Sequence, residues 1–244
     1  MPAPVLINGQ WRDAYASSTF QAVNPRTTET IAGDYPVSTW HDLDAMLDAA
    51  TDAYRTMRLL PAETLAAFLD LYASKIEANL EKLATIADEE TALGKSPRFM
   101  NGEIPRTINQ LQQAAAAARE GSWATPTIDT GTGIRSVMRP LGVVCVFGPN
   151  NFPFAYNGVA GGDFAAAIAA GNPVIAKGHP SHPKTSQMLA ELAFEAVKET
   201  NGMPHAAVQF FQRSSREDGS KLMAEPRNAA LGFTGSRPSG MALK

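Results

Sequence analysis

PLGVVCVFGPNNFPF, residues 140–154, is the stretch on which the reading of the fold turns. Its centre, Val143-Val144-Cys145-Val146-Phe147, is apolar at every position, as expected of a short strand covered on both faces. Gly148-Pro149-Asn150-Asn151 then ends the run with turn-forming residues. Working downstream, the pattern predicts a helix of small residues over 158–170 closed by Gly171, a strand over 173–176, an amphipathic helix over 185–199 stopped near Gly202, a strand over 208–211, a short helix over 219–225 and a strand over 229–233. Strand and helix in alternation imply βαβ crossovers, and so an α/β fold with a parallel sheet and helices on both faces. Ligands of such sheets bind at the carboxyl ends of the strands. Three segments fall there: 148–153, 177–180 and 234–236.

Upstream, residues 5–40 alternate short apolar runs with turns such as Asn8-Gly9 and Asn24-Pro25, which predicts small strands on the outside of a domain. From Asp42 the period becomes helical: Leu43, Met46, Leu47, Ala50, Ala53, Tyr54 and Met57 share one face. A second helix after Pro61 would bury Leu65, Phe68, Leu69, Tyr72 and Ile76, with proline at a position where no N–H is needed. A third face runs through Leu80, Leu83, Ile86 and Ala87, and a fourth helix spans 97–120 with Ile104, Ile108 and Leu111 inward. Residues 121–133 read as a loop or hairpin before a β-rich stretch over 137–147. The domain plan is thus an N-terminal layer of strands and helices (1–121), a hairpin segment (122–142) and a parallel core (143–244).

Composition narrows the function. With 244 residues, 44% hydrophobic and 18% charged, the chain has the makings of an ordinary globular protein. A formal net charge of -3, without a run of basic residues, gives no field to attract phosphate backbones or anionic lipids, so neither nucleic acid nor membrane is an expected partner. No apolar run has the length of a membrane span and the start MPAPVLINGQWRD lacks the pattern of a secretion signal, so a cytoplasmic location is expected. The single cysteine, Cys145, excludes an internal disulfide. His179 and His182 sit in a proline-broken loop with no cysteine or carboxylate cluster, and no metal is expected.

No GxGxxG follows the first core strand, so elementary patterning stops at an α/β protein with a crevice. The runs PLGVVCVFGPNNFPF, GNPVIAKGHPSHPKTS and LGFTGS, however, resemble the aldehyde dehydrogenase superfamily in order and spacing. FQAVNPRTTET and ETALGKSPRFMNGEIPRTINQL further resemble its branch that oxidises 2,5-dioxopentanoate, or α-ketoglutaric semialdehyde. The resemblance implies a Rossmann-like sheet binding NADP or NAD, a small-molecule aldehyde as substrate, and a homo-oligomer built through the 122–142 hairpin.

Site residues follow from matching positions. Asn151 corresponds to the asparagine that helps hold the oxyanion formed when a cysteine attacks the aldehyde, a donor worth roughly 3 kcal/mol of barrier. Without the family it would equally turn the chain before Phe152-Pro153. Lys177 corresponds to the lysine that hydrogen-bonds the adenosine ribose; alone it would read as a surface lysine. Phe147, Pro149, Asn150, His179 and Pro180 flank these two as cofactor contacts. Many relatives carry an acidic residue where Pro180 stands, and its absence removes repulsion against a 2′-phosphate, so NADP is expected to be tolerated or preferred. Thr234, Gly235 and Ser236 match the helix start that receives the pyrophosphate, or form a plain cap, and Gly219 matches a glycine of the adenine cleft. Arg106 is the candidate for pairing with the distal carboxylate of an acidic semialdehyde; a surface ion pair is the alternative.

The resemblance places the nucleophilic cysteine and the general-base glutamate downstream of Ser236, beyond Lys244, so a catalytic domain is not expected here. Cys145, inside an apolar strand, reads as a small core filler. This chain would then be the cofactor portion of an NAD(P)-dependent oxidoreductase, inactive alone. The alternative is a non-catalytic nucleotide-binding or subunit-interaction protein of the same descent.

Overall fold

The computed structural model describes residues 1–243. In chain order it contains β1 (Val5–Ile7), β2 (Gln10–Arg12), β3 (Ala16–Phe20), β4 (Tyr35–Ser38), α1 (Trp40–Met57), α2 (Ala62–Ala78), α3 (Leu80–Thr91), α4 (Ile104–Glu120), β5 (Thr127–Ile128), β6 (Arg135–Ser136), β7 (Val143–Phe147), α5 (Gly162–Ala169), β8 (Val174–Lys177), α6 (Pro183–Glu199), β9 (Val208–Phe211), β10 (Arg213–Ser214), α7 (Arg216–Ala224), β11 (Asn228–Phe233) and α8 (Arg237–Ala242). The main sheet runs β11-β7-β8-β9-β1-β2. Its first four strands are parallel, while β1 joins β9 antiparallel through Leu6 opposite Phe210. The α/β fold with a parallel sheet is therefore present.

Alternation along β7 shows why the apolar run was needed. Val143, Cys145 and Phe147 pack with Leu43, Met46, Leu47 and Ala50 of α1 and Leu222 of α7. Val144 and Val146 point the other way, among side chains of α2, α4, α5 and α6. Both faces are dry, so no position of the strand tolerates a polar group without a partner. The helical layer is tied to the sheet by Tyr72, whose hydroxyl lies 3.1 Å from both the Val159 and Leu189 carbonyls and whose ring meets Phe164 edge-on.

Four expectations need correction. The N-terminal strands are not all peripheral: β1 is completely buried within the main sheet, because Leu6 and its neighbours Val5 and Ile7 fill opposite faces of it. The fourth helix begins at Ile104; residues Lys95–Glu103 form a wider π-type turn entered through extended Ser96, as suits a residue before proline. The β-rich stretch shrinks to β7, since Pro140 offers no N–H and Val137, Met138 and Leu141 are exposed. Helix α5 starts at Gly162 rather than 158, because the Asn157 side chain captures the Val159 N–H and holds the preceding segment in turns. The hairpin β5–β6 forms, with Ile128, Ile134 and Trp123 exposed beside it. Among the described residues no helix is long and apolar enough to cross a membrane.

Glu90, at the end of α3, is buried and accepts hydrogen bonds from the Lys184 and Thr185 N–H groups and the Thr185 hydroxyl, so it caps α6 from another helix. Burial outweighs these donors and lifts its pKa from 4.5 to about 7. The native chain therefore keeps a proton there that the unfolded chain releases, and the stability it contributes is greatest below pH 4.5 and lost as pH rises to about 7. Urea unfolding of the parent and of Glu90→Gln across that window should show a slope of about 2–3 kcal/mol present in the parent and absent in the variant; parallel curves would contradict it.

Candidate functional site

The parallel register sets the site. Phe147 pairs with Lys177 and with Phe233, and Lys177 pairs with Phe211, so β7, β8, β9 and β11 end in step. Every loop that follows them leaves the same edge. Gly158 passes so close beneath this edge that a Cβ would stand 2.7 Å from the carbonyl oxygens of both Val146 and Lys177, and only glycine fits. A cleft of about 750 Å³ opens there. Phe147, Lys177, Pro180 and Gly219 line it, together with Arg213, Ser215 and Arg216, and with Pro238 and Ser239 of α8. Its outer wall is Ser18, Thr19 and Phe20 of β3, brought there by the small sheet β10-β4-β3.

The electrostatics are one-sided. Lys177, Arg213 and Arg216 line the cleft, and no carboxylate does so among the described residues. The Lys177 ammonium donates to the Gly178 carbonyl at 3.1 Å and lies 5.4 Å above the Phe147 ring. Burial, helped by Arg213, lowers its pKa to about 8. Three donors with one protein acceptor leave it ready to hydrogen-bond a ligand. His179 takes the Ser181 N–H on Nδ1, and burial beside His182 and Lys177 pushes its pKa down to about 3, leaving it neutral.

The remaining predicted residues occupy the same edge outside that lining. Pro149 is buried and Asn150 and Asn151 are exposed at the tip of the loop after β7. The Asn151 carbonyl accepts from Arg98 at 2.6 Å, while its side chain makes no hydrogen bond among the described residues. The Thr234 N–H donates to the Phe147 carbonyl at 3.1 Å. Gly235 follows, and Ser236 caps α8 by accepting from the Ser239 N–H. Arg106 is exposed and lies against Tyr156, donating to its hydroxyl at 2.9 Å, on the asparagine-loop side. Cys145 is fully buried in β7 and burial pushes its thiol well up.

Two sets of residues escaped sequence reading. Arg213 and Arg216 follow β9, the fourth strand to end on this edge; applying the strand-end rule to that loop too would have found them. Arg98 and Glu103 carried no such signal. Arg98 donates to Asn151, stacks 4.9 Å over the Phe152 ring, and sits 3.6 Å from Glu103. The buried Glu103 carboxylate accepts from the Phe154 and Ala155 N–H groups at 2.8 and 3.2 Å.

A model of the aldehyde dehydrogenase family matches residues 11–244. The chain belongs to that family. It is 36% identical over 240 residues to alpha-ketoglutaric semialdehyde dehydrogenase 2 of Azospirillum brasilense, across 94% of this chain and 45% of that protein. This aldehyde dehydrogenase chain thus spans about half the length of the curated relatives it matches. Among solved structures it superposes on a 1-pyrroline-5-carboxylate dehydrogenase with a TM-score of 0.86 and 24% identity, covering 99% of this chain and 45% of that one. It also superposes on PnpE in complex with nicotinamide adenine dinucleotide, with a TM-score of 0.85 and 24% identity, covering 100% and 48%. These likenesses establish that the chain takes the fold of just under half of each of those structures over essentially its whole length.

Two outcomes follow from the packing. Glu103→Ala strands two buried N–H groups and should cost about 1–3 kcal/mol in denaturant unfolding; an unchanged midpoint would contradict its role. The Cys145 thiol should react with an aromatic disulfide reagent only as fast as the chain unfolds, whereas rapid native-state labelling would mean that β7 is open.

Proposed function

We propose that this chain is the nucleotide-binding portion of an NAD(P)-dependent aldehyde dehydrogenase that oxidises an acidic semialdehyde such as 2,5-dioxopentanoate to a carboxylate. The observation that carries the reading is the cation-lined cleft, without a carboxylate among the described residues, at the ends of four parallel strands. Its volume suits a dinucleotide portion, and the Lys177 ammonium with donors to spare suits ribose hydroxyls. When bound, the nicotinamide accepts the hydride that leaves the aldehyde carbon. The chain's own groups do the rest of what this portion contributes. Lys177, with Phe147, Pro180 and Gly219 around it, holds the adenosine end, and Pro149, Asn150 and His179 border it. Thr234, Gly235 and Ser236 border the pyrophosphate. The amide of Asn151, without a partner among the described residues, donates to the oxyanion as it develops, and Arg106, swung from Tyr156, pairs with the distal carboxylate of the substrate.

The two arginines beyond β9 and the neutral Pro180 favour NADP, since a 2′-phosphate meets positive charge there with no opposing carboxylate among the described residues. The only thiol of the chain is the buried Cys145, so thiolate attack on the aldehyde is outside the reach of this chain by itself, and it turns over no aldehyde alone. The exposed Ile128, Ile134, Val137 and Met138 of the 122–142 segment support a homo-oligomer.

Calorimetric titration with NADP and NAD tests the reading. Binding of both, with NADP at least as tight, is expected. Lys177→Ala should weaken both about tenfold, and Arg213→Ala should weaken NADP while leaving NAD unchanged. No binding of either nucleotide, or strict selection of NAD, would overturn the corresponding part of the proposal.

A further inference from the structure

The loop that presents Asn151 is tied down by a buried polar chain with a single possible hydrogen arrangement. His182 Nε2 lies 3.1 Å from the Pro149 carbonyl. A carbonyl only accepts, so Nε2 carries the proton and Nδ1 is bare. Nδ1 lies 3.2 Å from Ser186 Oγ and must accept from that hydroxyl. The Ser186 oxygen in turn accepts from Asn157 Nδ2 at 3.1 Å, and the same amide donates to the Pro153 carbonyl at 2.9 Å. The orientation of Asn157 is fixed independently, because its Oδ1 accepts from the Val159 N–H at 3.0 Å. His182, Ser186 and Asn157 are all buried.

The chain therefore starts on one prolyl carbonyl and finishes on another, four residues along, with Asn151 midway between them. Arg98 holds the carbonyl of Asn151 itself from the solvent side. Three alternate carbonyls of the loop are thus engaged, while the Asn151 side chain stays exposed and unpartnered among the described residues. Alternate anchoring of this kind holds the backbone of a loop tip that has little packing of its own. It also gives His182 a purpose other than the metal pair that its spacing from His179 first brings to mind.

We infer that His182, Ser186 and Asn157 form a positioning clamp that presets the direction of the Asn151 amide. Its purpose rests on the oxyanion role proposed for Asn151, but its existence does not. Burial keeps the ring neutral, with a pKa near 4, so the clamp persists throughout the neutral range. A protonated ring would lose the acceptor that Ser186 needs.

The test needs no turnover and uses the chain as it stands. Nitrogen-15 spectra of the histidine rings should show His182 as the neutral Nε2–H tautomer at pH 7. In hydrogen exchange, Ser186→Ala and His182→Leu should each speed the hydrogen-bonded Phe154, Ala155 and Asn157 amides that close the loop by roughly tenfold or more, with the amides of α6 and β9 within threefold of the parent. His182→Gln, whose amide can still donate to Pro149, should recover most of the protection that His182→Leu loses. If His182→Leu fails to fold, Ser186→Ala and the ring spectra decide. An Nδ1–H or charged His182, unchanged exchange in the loop, equal loosening of loop and α6, or no rescue by glutamine would each overturn the clamp. Since none of these depends on nucleotide, a failed clamp leaves the dehydrogenase reading intact, and a failed titration leaves the clamp intact.

Discussion

Four parallel strands ending in step are the constraint from which the rest of the molecule follows. The register of β7 with β8 and β11, and of β8 with β9, brings Phe147, Lys177, Phe211 and Phe233 to one line. It holds because β7, β8 and β9 are dry on both faces, with the half-buried β11 laid along the edge: side chains of α1 and α7 cover one side and those of α2, α4, α5 and α6 the other. A slip of one residue would exchange the two faces of a strand against neighbours shaped for the original set. The cleft is a by-product of this arrangement, the space left where four chains turn away from a common edge.

Apolar packing cannot hold the loops beyond that edge, and buried polar groups do so instead. Glu90 closes the start of α6, Glu103 takes two N–H groups after Pro153, and His182 connects the loops after β7 and β8. Each is expensive to bury and each has partners from a different element, so losing one partner leaves an unpaired group in a dry interior. Lys177 is the contrasting case. It is largely enclosed with one protein acceptor among the described residues, which is a poor structural investment and is the feature on which its proposed role toward a ligand rests.

Much of the fold was legible because periodicity reports burial. The faces Leu43-Met46-Leu47-Ala50 and Leu65-Phe68-Leu69-Tyr72-Ile76 repeat at helical spacing and are buried as read, and the run 143–147 is a strand. What escaped has no period. The place of β1 in the main sheet is decided by Leu6 meeting Phe210, far along the chain. The sequence pattern carries the fourth helix back to residue 97, yet extended Ser96 before Pro97 leads into a wider turn over 95–103. Family resemblance supplied Asn151 and Lys177 as positions but not their surroundings: Arg98 reaches the asparagine loop across 53 residues of sequence, and no local pattern encodes such a contact. Arg213 and Arg216 were readable in principle, since they follow a recognised strand.

A hydrogen-exchange footprint of bound NADP on this chain bears most directly on the claim that these strand ends form one nucleotide cleft. The account requires simultaneous protection of the segments around Phe147, around 177–180 and around 213–220, with the hairpin at 127–136 unaffected. Protection confined to one of those segments, or centred on a different face, would contradict it.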